Sequence, residues 1–106
     1  MKNIRWLDSA ELDLTNIIRY VGMTFGFDTA LHVFDDIIVR VEALSGFPYL
    51  GTLAPSVKYQ GLEVFVLHER HTRVHYSITP NEIIIVLVWN NQRDDSLIKA
   101  AIESAE

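Results

Sequence analysis

Ile83-Ile84-Ile85-Val86-Leu87-Val88-Trp89 is the longest apolar run in the chain. Seven residues fall far short of the roughly 20 that a membrane helix requires. They suit a strand, and the β-branched residues among them favour one. No polar residue interrupts the run, so neither strand face is polar. Such a strand belongs at the centre of a sheet rather than at its edge. Asn90-Asn91-Gln92 ends it.

Working back from this run, Pro80-Asn81 reads as a turn. Arg73 to Thr79 reads as a strand, Glu69-Arg70-His71-Thr72 as a turn, and Leu62 to His68 as the partner strand. Centring the hairpin on Arg70-His71 opposes Glu69 with Thr72, His68 with Arg73, Leu67 with Val74, and Val66 with His75. Side chains alternate across a strand. Phe65, Leu67, Val74, Tyr76 and Ile78 then share the core face. His68, Arg73, His75 and Ser77 share the other with Val64 and Val66. A one-residue slip would separate this polar set, so it depends on the turn assignment.

Further upstream the period changes. Asn3 to Leu7 reads as a short first strand. Asp8 is placed as an N-cap, with Glu11 completing a capping box. Ala10, Leu14, Ile17, Ile18, Val21 and Phe25 recur at helical spacing, interrupted by Gly22 and stopped by Gly26. Asp28 is placed as the next N-cap. Leu31, Phe34, Ile37, Ile38, Val41 and Leu44 form a second stripe, closed by Gly46 and Pro48. Helices joined by so short a link pack antiparallel. Residues 47–61, with two prolines and two further glycines, read as a loop. Residues 93–105 suit a short terminal helix, with Leu97, Ile98, Ala101 and Ile102 on one side.

The expected architecture is α+β. An N-terminal strand leads into an antiparallel helical hairpin, packed on a mostly antiparallel four-stranded sheet, with a short C-terminal helix. Two amphipathic layers bury their apolar faces together, leaving the second sheet face open. With 106 residues, this is a single domain spanning 1–106.

Composition narrows the function. No cysteine is present, so a disulfide framework and a thiolate metal site are excluded. The net charge is −5, and neither half of the chain is basic. Strong non-specific DNA or RNA binding rests on Lys and Arg, so it is not expected. No signal-peptide pattern or membrane-length segment is visible, which makes a cytoplasmic protein the default.

The open face carries the candidate chemistry. Two imidazoles, His68 and His75, lie near the Arg73 guanidinium. Histidine moves protons near neutral pH, and a guanidinium holds phosphate and stabilises developing charge. The same residues also fit an ordinary polar strand surface. His68, His71 and His75 could be read as a zinc triad, but the spacing spans a turn and no carboxylate or cysteine accompanies it. Asp35-Asp36 is no dyad, because adjacent helix residues point about 100° apart. Trp6 and Trp89 suit a core. No phosphate loop, nucleophile elbow or HExxH motif occurs, and no cofactor is expected.

Several separated pieces share an order. Trp6 precedes the first helix, which carries Ala10-x-x-Asp13-Leu14-x-x-Ile17-x-x-Tyr20. Phe47-Pro48-x-x-Gly51 follows the hairpin, then Gly61-Leu62, Arg73-Val74-x-Tyr76 and Val88-Trp89-Asn90-Asn91-Gln92-Arg93-Asp94. In this order and spacing the chain resembles the RelE/ParE superfamily, the toxins of bacterial type II toxin–antitoxin modules, also called plasmid stabilisation proteins. The resemblance covers nearly the whole chain and implies the same fold.

The superfamily divides by mechanism. RelE-like members cut messenger RNA in the ribosomal A site, and ParE-like members inhibit DNA gyrase. The long paired helices and the Pro-x-x-Gly loop resemble ParE more closely. By the same resemblance Arg73 stands where the nucleases place a phosphate-contacting arginine, with Arg93 near another. Their strand lysines have no counterpart in Leu62-Glu63-Val64-Phe65-Val66-Leu67, and Glu63 stands where relatives commonly carry arginine. Some ribosome-dependent relatives use histidines, which keeps His68 and His75 as candidates. The resemblance thus implies a growth inhibitor neutralised by a cognate antitoxin, with gyrase as the target. The alternatives are a ribosome-dependent endoribonuclease using Arg73, His75, His68 and Arg93, and a non-toxic antitoxin-binding module. Salt bridges are the structural role open to Arg73 and Arg93, for example Arg93 with Asp94 or Asp95.

Overall fold

In a computed structural model describing residues 1–106, the chain runs β1 (Asn3–Trp6), α1 (Asp8–Phe25), α2 (Phe27–Ala43), β2 (Thr52–Tyr59), β3 (Leu62–Glu69), β4 (Thr72–Ile78), β5 (Glu82–Asn90) and α3 (Ile98–Glu103). A 3₁₀ turn at Asp95–Leu97 leads into α3. The sheet order is β1-β5-β4-β3-β2. Only the β1–β5 pairing is parallel. The apolar run of β5 sits inside the sheet, and every residue from Ile83 to Trp89 is buried.

The β3–β4 register is the one that the turn at Arg70-His71 predicts, with Glu69 opposite Thr72, His68 opposite Arg73 and Val66 opposite His75. Arg70 takes φ +49° to close the turn. The β4–β5 pairing slips once. His75 faces Leu87 and Tyr76 faces Ile85, which leaves Val86 as the extra residue of a bulge.

The sheet has five strands rather than four. Thr52–Tyr59, expected as loop, is an edge strand on β3. Pro55 lies in an irregularity between Ala54 and Lys58, where the register shifts. Proline is tolerated at an edge and at a bulge because no ladder N–H is required there. Gln60 and Gly61 both have positive φ, the backbone of a tight two-residue hairpin turn.

The helix starts also differ from expectation. Asp8 and Asp28 lie inside the first turns of α1 and α2, and the N-cap positions are Leu7 and Gly26, without side-chain caps. The carboxylates still lie at the positive ends of the helix dipoles. Gly26 ends α1 at φ +99°. The core-facing residues are Ala10, Leu14 and Ile17 on α1 and Ile37 and Val41 on α2, while Ala30 is buried against Gly22 between the two helices. Phe25, Leu31 and Phe34, read as part of the buried stripes, are exposed instead. They lie towards the hairpin tip, beyond the helical turns that pack on the sheet.

The larger correction concerns the second sheet face, which is covered. His75, Ser77, Ile84 and Leu87 lie on it and are buried. The C-terminal segment provides the cover. Asp95 reaches Arg73, α3 contacts β2 and β5, and Ile102 and Ala105 join the core cluster. The chain end is fastened to the start of α1, where Ser9 N–H donates to the Glu106 carbonyl at 2.8 Å. Burial of Ile84, Leu87 and Ile102 provides the driving force, at about 25 cal/mol per Å² of apolar surface.

One further strand edge is closed by a side chain. Beyond Trp6, β5 has no strand on that side. There the Val88 N–H donates to Asp13 Oδ2 at 3.2 Å. Burial raises the Asp13 pKa, an effect partly offset by the Val88 hydrogen bond and by Arg93.

The Phe47–Gly51 loop is fixed by Tyr76. Its hydroxyl donates to the Pro48 carbonyl at 2.7 Å and accepts from the Gly51 N–H at 2.9 Å. A Cβ at Gly51 would lie 2.6 Å from the Val66 carbonyl oxygen. Tyr76→Phe should therefore lower stability by about 1–2 kcal/mol, since it strips a part-buried N–H and carbonyl of their shared partner. Gly51→Ala should cost at least as much, because backbone must move. Urea denaturation of both variants measures this, and wild-type midpoints would refute the loop's role.

Candidate functional site

Arg73, the second residue of β4, projects from the turn end of the β3–β4 hairpin onto the face that the C-terminal segment covers. Its Nε donates to Asn91 Oδ1 at 2.7 Å, and a terminal nitrogen donates to Asp95 Oδ1 at 2.5 Å. The guanidinium is thus engaged on two sides, with 18% of its side chain exposed. The bond from Arg73 holds the Asp95 carboxyl below the usual carboxylate range. Asp94 is held low by the Ser96 backbone N–H, which its side chain accepts to start the 3₁₀ turn.

His75 sits two residues along the same face and is 3% exposed. Its Nδ1 is buried without a hydrogen-bond partner. Burial pushes its pKa down to about 4, assisted by the charges of Arg73 and His68. At pH 7 the ring is neutral. His68, opposite Arg73, is exposed, and its carbonyl accepts from Arg40 at 3.2 Å. His71 is exposed at the hairpin turn. No three histidine or carboxylate side chains converge in a metal-binding arrangement.

Arg93 takes neither of the ion pairs considered for it. It lies over the Trp89 ring at 4.2 Å from the centroid, a cation–π contact. Trp89 itself is buried in the core, as its type suggested. The carboxylate of Asp95 is taken by Arg73. Arg73, His75 and Trp89 therefore do share one face, with Arg93 above it. They do not form an open catalytic surface, because residues 93–106 lie over it. What sequence reasoning left out was Asn91 and Asp95 as partners of Arg73; it considered Asp95 only for Arg93. Their signal was the Asn-rich turn and the acidic pair directly after β5.

A second concavity lies under the helical hairpin. A cavity of about 360 Å³ opens between the hairpin tip and the β3–β4 turn. Ile17, Val21 and Val33 give it an apolar lining, and Tyr20 and Phe25 flank the mouth. Charged residues rim it in pairs. Arg70 lies 3.8 Å from Asp36, and Arg40 lies 3.3 Å from Glu69. The cavity has an apolar wall on the helices and a polar wall along Glu69–Thr72 and Asn90, with acids and bases balanced at its rim, which suits an amphipathic peptide better than a phosphate.

Comparison with known proteins agrees with this architecture. Residues 4–95 match the family model for the ParE toxin of the type II toxin–antitoxin system parDE. The chain belongs to this ParE toxin family. Among solved structures it is similar to a chain of the chromosomal ParDE toxin–antitoxin system from P. aeruginosa, at 22% identity. That match covers 85% of this chain and 96% of the other, with a TM-score of 0.68. At this identity the likeness concerns the fold. No curated protein matches the chain. No helix is long and apolar enough to cross a membrane.

The buried His75 has a measurable consequence. Its pKa is about 4 in the folded chain and 6.5 in the unfolded reference. The native state therefore binds fewer protons, and the stabilisation is complete above pH 6.5 and lost as pH falls towards 4. The full effect of a shift of this size is about 3 kcal/mol. Urea unfolding across pH 4–7.5 should show that loss in the wild type and a flatter profile in His75→Gln. Identical profiles would show that His75 does not titrate as its burial requires.

Proposed function

We propose that this chain is a growth-inhibiting toxin that acts by protein–protein contact on DNA gyrase in the cytoplasm, and that a cognate antitoxin neutralises it. The observation that carries this reading is the covered state of the candidate nuclease set. A general base must reach its proton directly or through one water. His75 is buried and neutral, and Arg73 is held by Asn91 and Asp95. The net charge of −5 adds repulsion from ribosomal RNA, screened only beyond about 8–10 Å at physiological salt. Membership of the ParE family favours the gyrase-directed mode over messenger RNA cleavage.

The antitoxin would be a chain with a disordered tail that folds on binding. The cavity under the hairpin tip fits an apolar anchor of such a tail, and the adjoining helices fit its amphipathic continuation. The relative from P. aeruginosa is described as a ParDE system, which supports a partner of this kind.

Induction in cells, with and without the neighbouring short gene, tests neutralisation. Parallel gyrase-supercoiling and ribosome-programmed cleavage assays test the target. We expect supercoiling inhibition that persists in Arg73→Ala, and no cleavage. Cleavage that falls by about a hundredfold or more in Arg73→Ala and His75→Ala, with gyrase unaffected, would establish the nuclease reading instead. Folded protein without any growth effect would identify a non-toxic antitoxin-binding module.

A further inference from the structure

Residues 93–106 cover the sheet face that carries Arg73 and His75, yet little backbone ties them to it. They add no strand to the sheet. Beyond the turn that starts the segment, one backbone hydrogen bond joins it to the rest of the chain, from the Ser9 N–H to the Glu106 carbonyl. The Glu106 N–H donates back to Ser9 Oγ at 3.1 Å. Residues 91–97, which lead across, are all exposed. Helix α3 has six residues, too few to persist without packing. Ile102 and Ala105 are the segment's buried side chains, with Ile98 and Ala101 partly buried. Its other attachments are Asp95 on Arg73 and Arg93 over Trp89. A segment with few buried apolar groups and no ladder opens at a lower free energy than a central strand.

Two polar nitrogens on the covered face have no partner. His75 Nδ1 and Trp89 Nε1 are both buried without a hydrogen bond. An unsatisfied buried group opposes the covered state, and water relieves it when the cover lifts. The charged groups that face His75 are Arg73 on its own strand, His68 on β3 and Asp95 on the segment. From β5 it is faced by the apolar Leu87. Lys99 and Glu103 on α3 are exposed.

We infer that residues 93–106 form a strap that opens as a unit while the sheet and the helical hairpin stay folded, hinged at the turn after β5 and latched by Asp95 on Arg73, and that opening brings His75 into water. The latch is a charge-assisted bond whose carboxylate is exposed, so it closes the strap without locking it. The motion does not depend on the toxin reading. It is coupled to protons. Under the strap His75 is neutral, with a pKa of about 4; in water it returns towards 6.5. The open form therefore binds more protons. Closure is fully favoured above pH 6.5, and this advantage is lost as pH falls to 4, by about 300-fold in all. Protonation of Asp95 loosens the latch only below that window, because the bond from Arg73 holds its carboxyl low.

Native-state hydrogen exchange followed by NMR tests this, with rates corrected for the intrinsic effect of pH. At pH 7.5 the Ser104 and Ala105 amides, bonded within the strap, should be less protected than the β5 amides and insensitive to low urea. Lowering the pH to 4.5 should cut strap protection by about 70-fold. His75→Gln should remove that dependence. Asp95→Asn should lower strap protection at pH 7.5 by at least about tenfold. Asp95 is exposed, so this variant folds, and circular dichroism checks both. Strap and β5 amides that exchange together, by global unfolding alone, would overturn the proposal. So would a pH effect confined to the β5 amides, since opening would then leave His75 sealed. Strap protection unchanged in Asp95→Asn would refute the latch and the proposal with it.

Discussion

The rest of the structure depends on burying β5. Seven consecutive apolar residues have no hydrophilic face, so both sides of this strand must be kept from water. The strand at its free side, β1, covers only four residues. The helical hairpin takes one face, and Asp13 on α1 replaces the missing ladder partner at Val88. The C-terminal segment takes the other face and is fastened at Ser9. Neither layer is optional, because an uncovered strand of this composition would be a template for aggregation.

That second cover decides the chemistry. A sheet with one bare face would present Arg73, His68 and His75 to a phosphate. Here the same face holds a buried neutral imidazole, a guanidinium tied to Asn91 and Asp95, and a cation over Trp89. These groups bind the C-terminal segment to the sheet. Exposed apolar surface lies on the hairpin, around the tip cavity, and on the loop that follows it, at Phe47 and Tyr49.

Much of this was legible in local pattern. The β3–β4 register followed from a two-residue turn at Arg70-His71, since alternation fixes every side chain once the turn is fixed. The two helices followed from their apolar stripes. The edge strand β2 did not, because Pro55 and the flanking glycines carry loop signals while an edge strand tolerates proline. The N-caps were misplaced by one or two residues because a carboxylate in the first turn satisfies the same dipole as one at the cap. The bare second face was an error of a different kind. It followed from counting two amphipathic layers, although the run at Ile83–Trp89 required a third.

The sequence by itself determined the two long helices, the strands β3 to β5, the hairpin register, the place of β5 inside the sheet and the acidic balance, because each rests on neighbours in the chain or on composition. Tertiary structure alone decided which polar residues remained available. Arg73 and Asp95 are 22 positions apart, and His75 is separated by 18 or more positions from the residues 93–106 that cover its face. Period and propensity do not encode contacts at that separation. They form only when the last residues of the chain fold back across the sheet to bury what the central strand leaves exposed.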